Sequence, residues 1–214
     1  MITTLTQHET TRLIQGPAGK LELAIAEFAE KTHGAWGIVC HPHPLFGGAM
    51  SNKVVTTLIK SFQNLGLNTI RFNFRGVGRS EGQYAFGKGE LADLLAVIAW
   101  VLHERPDTDI WLAGFSFGAY IAAKAATEIT VKKLVTVAPP VHDFPMQMLP
   151  PILCHWIVVQ GELDEVVPSN EVLEWAENRY PQPFIIRFPQ AGHFFHGQLT
   201  ELRVKLEEAL MRNN

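Results

Sequence analysis

Cys40 and Cys154 are the only cysteines among the 214 residues of this chain. Two cysteines are too few for a disulfide scaffold, so we expect two free, buried thiols and a reducing compartment. The chain also lacks any uninterrupted run of about 18 apolar residues, which a membrane-spanning helix would need. Residues 1–9 have neither the basic start nor the apolar stretch of a secretion signal, so we expect a cytoplasmic location.

An excess of positive charge is absent as well. The chain carries 18 Lys and Arg residues against 21 Asp and Glu residues, for a net charge of −3. This balance predicts no electrostatic attraction to nucleic acid or to an anionic membrane. Hydrophobic residues, in contrast, make up 47% of the chain. At this length they supply the core of one globular domain, which we predict to span residues 1–214.

Two hydrophobic patterns follow one another along the chain. Residues 12–28 alternate around Gly16-Pro17-Ala18-Gly19, which predicts an antiparallel hairpin. From residue 36 onward, short apolar runs without polar alternation predict strands that are covered on both faces, as in a parallel sheet. These runs lie at residues 36–40, 69–74, 110–113, 134–138, 156–159 and 184–188.

Segments with helical spacing lie between and after these strands. They are residues 54–65, 91–102, 117–128, 169–179 and 199–210. For the first helix we expect Ser51 as the N-cap and Gly66 as the terminating glycine. The alternation predicts an α/β fold with a mostly parallel sheet, an N-terminal antiparallel hairpin and helices on both faces.

A G-x-S-x-G motif, Gly114-Phe115-Ser116-Phe117-Gly118, stands where a predicted strand meets a predicted helix. This context is typical of a nucleophile elbow, in which a sharp turn projects the serine from the edge of the sheet. A serine hydroxyl attacks well only when a neutral imidazole takes its proton and a carboxylate orients that imidazole. Ser116 is therefore the candidate nucleophile.

Candidates for the other two groups also follow predicted strands. Asp164 comes after the strand at 156–159, with Asp143 as the alternative acid. His193 comes after the strand at 184–188, with His196 as the alternative base. Because the carboxyl ends of parallel strands meet at one edge, we favour Asp164 and His193.

The segment His41-Pro42-His43-Pro44-Leu45-Phe46-Gly47-Gly48 follows the first parallel strand, where an oxyanion donor is expected. Proline has no N–H, so the candidate donors there are the amides of His43 and Leu45, beside that of Phe117. His41 and His43 also resemble metal ligands. No carboxylate or closed ligand set accompanies them, so we expect no metal and no cofactor.

Apolar side chains near the same edge indicate an acyl or aryl pocket, and we expect it to be lined by Phe46, Phe115, Phe144 and Phe194. The Pro-rich segment 138–151 is the only place for a cap domain and is too short to form one. We therefore expect an exposed site that takes small soluble esters.

Several motifs together resemble the α/β-hydrolase superfamily, and within it a group of small bacterial hydrolases without a cap domain. They are His41 to Gly48, Ser51 to Val55, Arg71 to Gly82, Gly114 to Gly118, Gly161 to Pro168 and Gly192 to Phe195. The resemblance implies Ser116 as nucleophile, Asp164 as acid and His193 as base, in the family's chain order. His-Pro replaces the usual His-Gly after the first parallel strand, which leaves the second oxyanion donor open.

The expected activity is hydrolysis of a small ester through an acyl-enzyme, with a small-molecule substrate as the partner. Acyl transfer or amide and peptide hydrolysis on the same triad remains an alternative, because the triad does not fix the leaving group or the acceptor. A non-catalytic binding protein that keeps the fold is the other alternative.

Overall fold

Strands and helices alternate in the computed structural model, which describes residues 7–28 and 34–212. The strands are β1 (Gln7–Gly16), β2 (Gly19–Phe28), β3 (Ala35–Cys40), β4 (Asn68–Phe72), β5 (Asp109–Phe115), β6 (Lys133–Val137), β7 (His155–Gly161) and β8 (Phe184–Phe188). The helices are α1 (Lys53–Asn64), α2 (Lys88–Glu104), α3 (Phe117–Ala126), α4 (Ser169–Glu177) and α5 (Leu199–Met211). The expectation that the N-terminus lacks a secretion signal concerns residues 1–9, of which residues 1–6 lie outside the described residues.

The strands form a single sheet in the order β1-β2-β4-β3-β5-β6-β7-β8. β1 pairs with β2, and β2 with β4, in antiparallel fashion, whereas all pairs from β4 to β8 are parallel. The predicted fold class is confirmed, including the N-terminal hairpin, which turns between Gly16 and Gly19.

Helices cover both faces of the sheet. Buried side chains of α2, α3 and α4 pack on one face, and those of α1 and α5 pack on the other. The parallel strands therefore lie between two apolar layers, which is why their sequences run without polar alternation. None of the helices in residues 7–28 and 34–212 combines the length and the apolarity needed to span a membrane.

The ends of α1 show how local sequence sets a boundary. Asn52, and not Ser51, caps the helix, because its Oδ1 accepts the N–H groups of Val54 at 2.8 Å and Val55 at 3.5 Å. The prediction of Ser51 was wrong by one residue. The prediction of Gly66 was right, since Gly66 has φ of 82° beyond the last helical turn.

The connections around β3 create the crevice that holds the site. β4 lies on one side of β3 in the sheet and β5 on the other. α1 follows β3 on one face of the sheet, whereas α3 follows β5 on the opposite face. The loops after β3 and β5 thus leave the sheet toward opposite faces. In open parallel sheets, ligands bind at such a switch point, outside the carboxyl ends of the strands.

Candidate active site

Ser116 lies in the sharp turn between β5 and α3, with φ of 53° and ψ of −121°. A non-glycine residue rarely adopts positive φ, and the surrounding contacts hold it there. A Cβ at Gly118 would approach the Cys40 carbonyl oxygen to 2.4 Å, and one at Gly114 would approach the Gly118 oxygen to 2.1 Å. Only glycines at these two positions let strand, turn and helix pass this closely.

Asp164 lies in the loop after β7 and accepts four hydrogen bonds. Its Oδ1 receives the N–H groups of Val166 at 2.9 Å and Val167 at 2.8 Å. Its Oδ2 receives His193 Nδ1 at 2.8 Å and Gln160 Nε2 at 3.2 Å. Burial raises the pKa of Asp164, but the bonds from His193 and the two backbone groups outweigh it, so the net pKa is lowered. The side chain is therefore a carboxylate at neutral pH.

His193 lies in the loop after β8, with its side chain almost fully buried. Because the Asp164 carboxylate accepts from Nδ1, the neutral ring carries its proton there and has Nε2 as the acceptor. Glu165 Oε2 accepts the backbone N–H of His193 at 3.1 Å. The imidazole packs on Phe115, the residue before Ser116, at 4.9 Å between ring centroids.

The ring and the serine thus share one edge of the sheet. Within the described residues, neither His193 Nε2 nor the Ser116 hydroxyl has a hydrogen-bond partner. Catalytic hydrogen bonds are often long before substrate binds, and both atoms are free to bind a further group.

The two alternative residues lie elsewhere. Asp143 is exposed in the loop after β6, and its neighbour His142 pairs with Glu171 on α4. His196 is exposed and packs its ring on Phe194 at 5.8 Å. The structure therefore brings Asp164 and His193 together, and neither Asp143 nor His196 joins that pair.

The loop after β3 lies against the serine turn, since a Cβ at Gly118 would approach the Cys40 and His41 carbonyl oxygens to 2.4 and 2.6 Å. Phe117 is the first residue of α3, where a helix leaves its N–H groups without helical partners. Within the described residues, neither Phe117 N–H nor His43 N–H donates to another protein group. The N–H of Leu45, in contrast, already donates to Nδ1 of His43 at 3.2 Å. This bond corrects the prediction of Leu45 as a donor and leaves His43 as the candidate.

The buried side chain of His41 is a neutral imidazole that bonds to two loops beside the crevice. Its Nδ1 lies 2.6 Å from the Pro42 carbonyl oxygen, and its Nε2 accepts the N–H of Phe74 at 3.0 Å. Burial lowers the pKa of His41 to about 4, opposed by the bond to Pro42 and assisted by the neighbouring His43. His41 thereby ties the loop after β3 to the loop after β4.

His43 uses both ring nitrogens as well. Nδ1 accepts from Leu45, and Nε2 lies 3.1 Å from the hydroxyl of Tyr84. Burial lowers the pKa of His43, although the negative charges of Glu90 and Asp143 oppose the change. In residues 7–28 and 34–212, no group of three or more His, Cys, Asp or Glu side chains is placed to hold a metal ion.

The four predicted lining residues differ in how much of each side chain is exposed to solvent. Phe46 is 86% exposed, and Phe194 is 41% exposed with its ring edge against His193. Phe144 is half-buried and packs on Phe117 at 5.3 Å. Phe115 is fully buried beneath His193, so it supports the imidazole and offers no surface to a substrate. Its prediction as a lining residue was therefore wrong.

Sequence reasoning missed three residues that touch this constellation: Tyr84, Gln160 and Glu165. The sequence could have indicated Gln160, because it is a polar residue at the end of an otherwise apolar strand. Glu165 directly follows Asp164, and its side chain accepts the backbone N–H of His193. Tyr84 lies between β4 and α2 in a segment without periodicity, and nothing in its sequence context predicts its contact with His43.

The chain is similar in sequence and in structure to several known proteins. A family model described as the alpha/beta hydrolase fold matches residues 39–152. A protein of Rickettsia prowazekii is 31% identical over 206 residues, covering 92% of this chain and 86% of that protein. The solved structure of an alpha-beta serine hydrolase homologue from Coxiella burnetii is 49% identical, with a TM-score of 0.91 and coverage of 94% of this chain and 97% of that one. A serine hydrolase without lid from Xanthomonas campestris is 39% identical, with a TM-score of 0.89 and coverage of 95% and 94%.

Proposed function

Because the chain belongs to the α/β-hydrolase family, we propose that it is a serine hydrolase that cleaves a small ester through an acyl-enzyme. Ser116 is the proposed nucleophile, His193 the base and Asp164 the acid that orients the imidazole. The 2.8 Å bond between His193 Nδ1 and Asp164 Oδ2, at the edge where Ser116 follows β5, is the observation that carries this proposal.

In the acylation step, Ser116 Oγ attacks the acyl carbon while His193 Nε2 takes the hydroxyl proton. The electron pair of the carbonyl bond moves onto its oxygen, which then accepts the N–H groups of Phe117 and His43. As the tetrahedral intermediate collapses, the bond to the leaving alkoxide breaks and His193 returns the proton to it. The Asp164 carboxylate stabilises the imidazolium between these two transfers.

In the deacylation step, His193 removes a proton from water, which attacks the acyl carbon. Collapse of the second intermediate breaks the bond to Ser116 Oγ, and the serine regains the proton from His193. The segment 138–151 contains only the short turn Met146–Met148 as regular structure. A segment this short forms no cap domain over the site, so small soluble esters should be better substrates than long lipids, which need an extended acyl groove.

Hydrolysis of p-nitrophenyl acetate tests the proposal. Replacing the nucleophile, Ser116→Ala, should lower kcat/KM by about 10⁴-fold or more. Ser51→Ala serves as the matched control, because Ser51 is exposed and does not cap α1. Full activity in folded Ser116→Ala, or inactivity of the wild type toward short esters, would contradict the proposal.

A further inference from the structure

Two phenylalanines at the mouth of the site are almost fully exposed. Phe46 is 86% exposed and Phe86 is 82% exposed, although phenylalanine is among the residues most often buried. Both belong to one continuous surface, because Phe46 packs on His43 at 4.7 Å, His43 on Tyr84 at 4.8 Å and Tyr84 on Phe86 at 5.1 Å. We refer to His43, Phe46, Tyr84 and Phe86 as the aromatic wall.

The centre of the aromatic wall is fixed by hydrogen bonds. The Tyr84 hydroxyl binds His43 Nε2, and Leu45 N–H binds His43 Nδ1. With both ring nitrogens engaged, the His43 ring cannot turn without breaking a bond, and Tyr84 is held with it. The wall is therefore a preformed surface, and binding to it requires little ordering of these two rings.

The outer end of the wall is held in an unfavourable backbone conformation. Phe86 has φ of 53°, which non-glycine residues rarely adopt. Glu90, a fully buried carboxylate, accepts the N–H groups on both sides of it, from Ala85 at 2.8 Å and from Gly87 at 2.7 Å. Local strain and the two hydrogen bonds to the Glu90 side chain together present the Phe86 ring to solvent. Strain maintained in this way is characteristic of binding and catalytic sites.

The inner end of the wall reaches the reacting groups. The His43 ring lies 5.0 Å from the Phe117 ring, and Tyr84 lies 5.9 Å from it. Phe117 directly follows Ser116, and the N–H groups of Phe117 and His43 are the proposed oxyanion donors. A ring that binds on the wall would thus lie close to the ester carbonyl.

From these observations we propose that the aromatic wall binds an aromatic ring of the ester substrate. The proposal rests on the serine hydrolase function and names its substrate class. Aromatic rings gain attraction from one another beyond the area that they bury, so a flat ring suits this surface better than a saturated ring of equal size.

Matched ester pairs test the proposal. Methyl phenylacetate is compared with methyl cyclohexylacetate, and benzyl acetate with cyclohexylmethyl acetate, so that the ring lies on the acyl or the alcohol side. In at least one pair, wild-type kcat/KM should favour the aromatic ester. Phe46→Leu and Phe86→Leu should each reduce that preference by about twofold to tenfold, the usual contribution of one aromatic pair. Phe184→Leu is the matched control, because Phe184 lies at the opposite end of the sheet, where β8 begins.

The outcomes separate this proposal from the underlying function. An unchanged aromatic preference in both wall variants, with ester hydrolysis intact, overturns the aromatic wall and leaves the serine hydrolase standing. A wild-type protein inactive on p-nitrophenyl acetate and on all four esters overturns the function itself, whereas one that hydrolyses p-nitrophenyl acetate but prefers the aromatic ester in neither pair overturns the aromatic wall alone. Inhibition of the wild type by benzyl alcohol and by cyclohexylmethanol gives a second measurement that needs no variant, and equal inhibition constants would also overturn the wall.

Discussion

Acidification should destabilise this protein through His41. The buried ring accepts the Phe74 N–H at Nε2, and protonation would turn that acceptor into a second donor facing the same N–H. The bond that ties the loop after β4 to the loop after β3 would then be lost. A charge would also be left without water in the core, beside His43.

The magnitude follows from the pKa of His41, which burial lowers from 6.5 to about 4. The unfolded chain therefore binds more protons than the folded chain between these values, so the free energy of unfolding decreases as pH falls through this window. Each pKa unit corresponds to about 1.4 kcal/mol, so the full loss is about 3 kcal/mol. About 2 kcal/mol of it should already be lost between pH 7.5 and pH 5.

Urea unfolding of the wild type, His41→Asn and His103→Asn at pH 7.5 and pH 5 measures this effect. Asparagine stays neutral and keeps an oxygen acceptor, so His41→Asn should lose about 2 kcal/mol less than the wild type on acidification, whatever its stability at pH 7.5. His103→Asn should behave as the wild type, because His103 is exposed at the end of α2. An equal pH dependence in all three proteins would refute the assignment of His41.

Three further substitutions have direct outcomes. Asp164→Asn should lower kcat on a short ester by about 10⁴-fold, because the imidazole loses its orienting carboxylate, and Asp143→Asn should change it little. Asn52→Ala should cost about 1 kcal/mol in urea unfolding through the lost cap of α1, and equal stability of Asn52→Ala and Ser51→Ala would be inconsistent with the observed cap. Gly118→Ala should cost about 1–3 kcal/mol, since its Cβ would meet backbone only 2.4 Å away, and a thermal melt unchanged from the wild type would argue against that packing.

Hydrophobic patterning was enough to predict the fold, because strands buried between two apolar layers appear in the sequence as short apolar runs without polar alternation. The runs at 36–40 and 156–159 lie within β3 and β7. Boundaries were less predictable. Ser51 and Asn52 are both good caps, and only the tertiary path of the chain into α1 decides between them.

The placement of Ser116 and His193 was predictable, because each residue follows a strand that its apolar run already indicates. The site was not predictable where side-chain direction decides. Phe115 and Phe117 flank the serine symmetrically in sequence, yet Phe115 packs on the face with α1 and α5, and Phe117 on the other. The contacts of Tyr84 and the exposure of Phe86 depend on a loop whose conformation Glu90 imposes from α2.

Labelling with a fluorophosphonate probe tests the central claim most directly, because the probe reacts only with a serine activated by a neighbouring base. Peptide mass spectrometry of the labelled, folded wild type should locate the phosphonyl group on Ser116 and on no other serine. Ser116→Ala should remain unlabelled. Absence of label on the folded wild type, or label on a different serine, would contradict the proposed Ser116–His193–Asp164 mechanism.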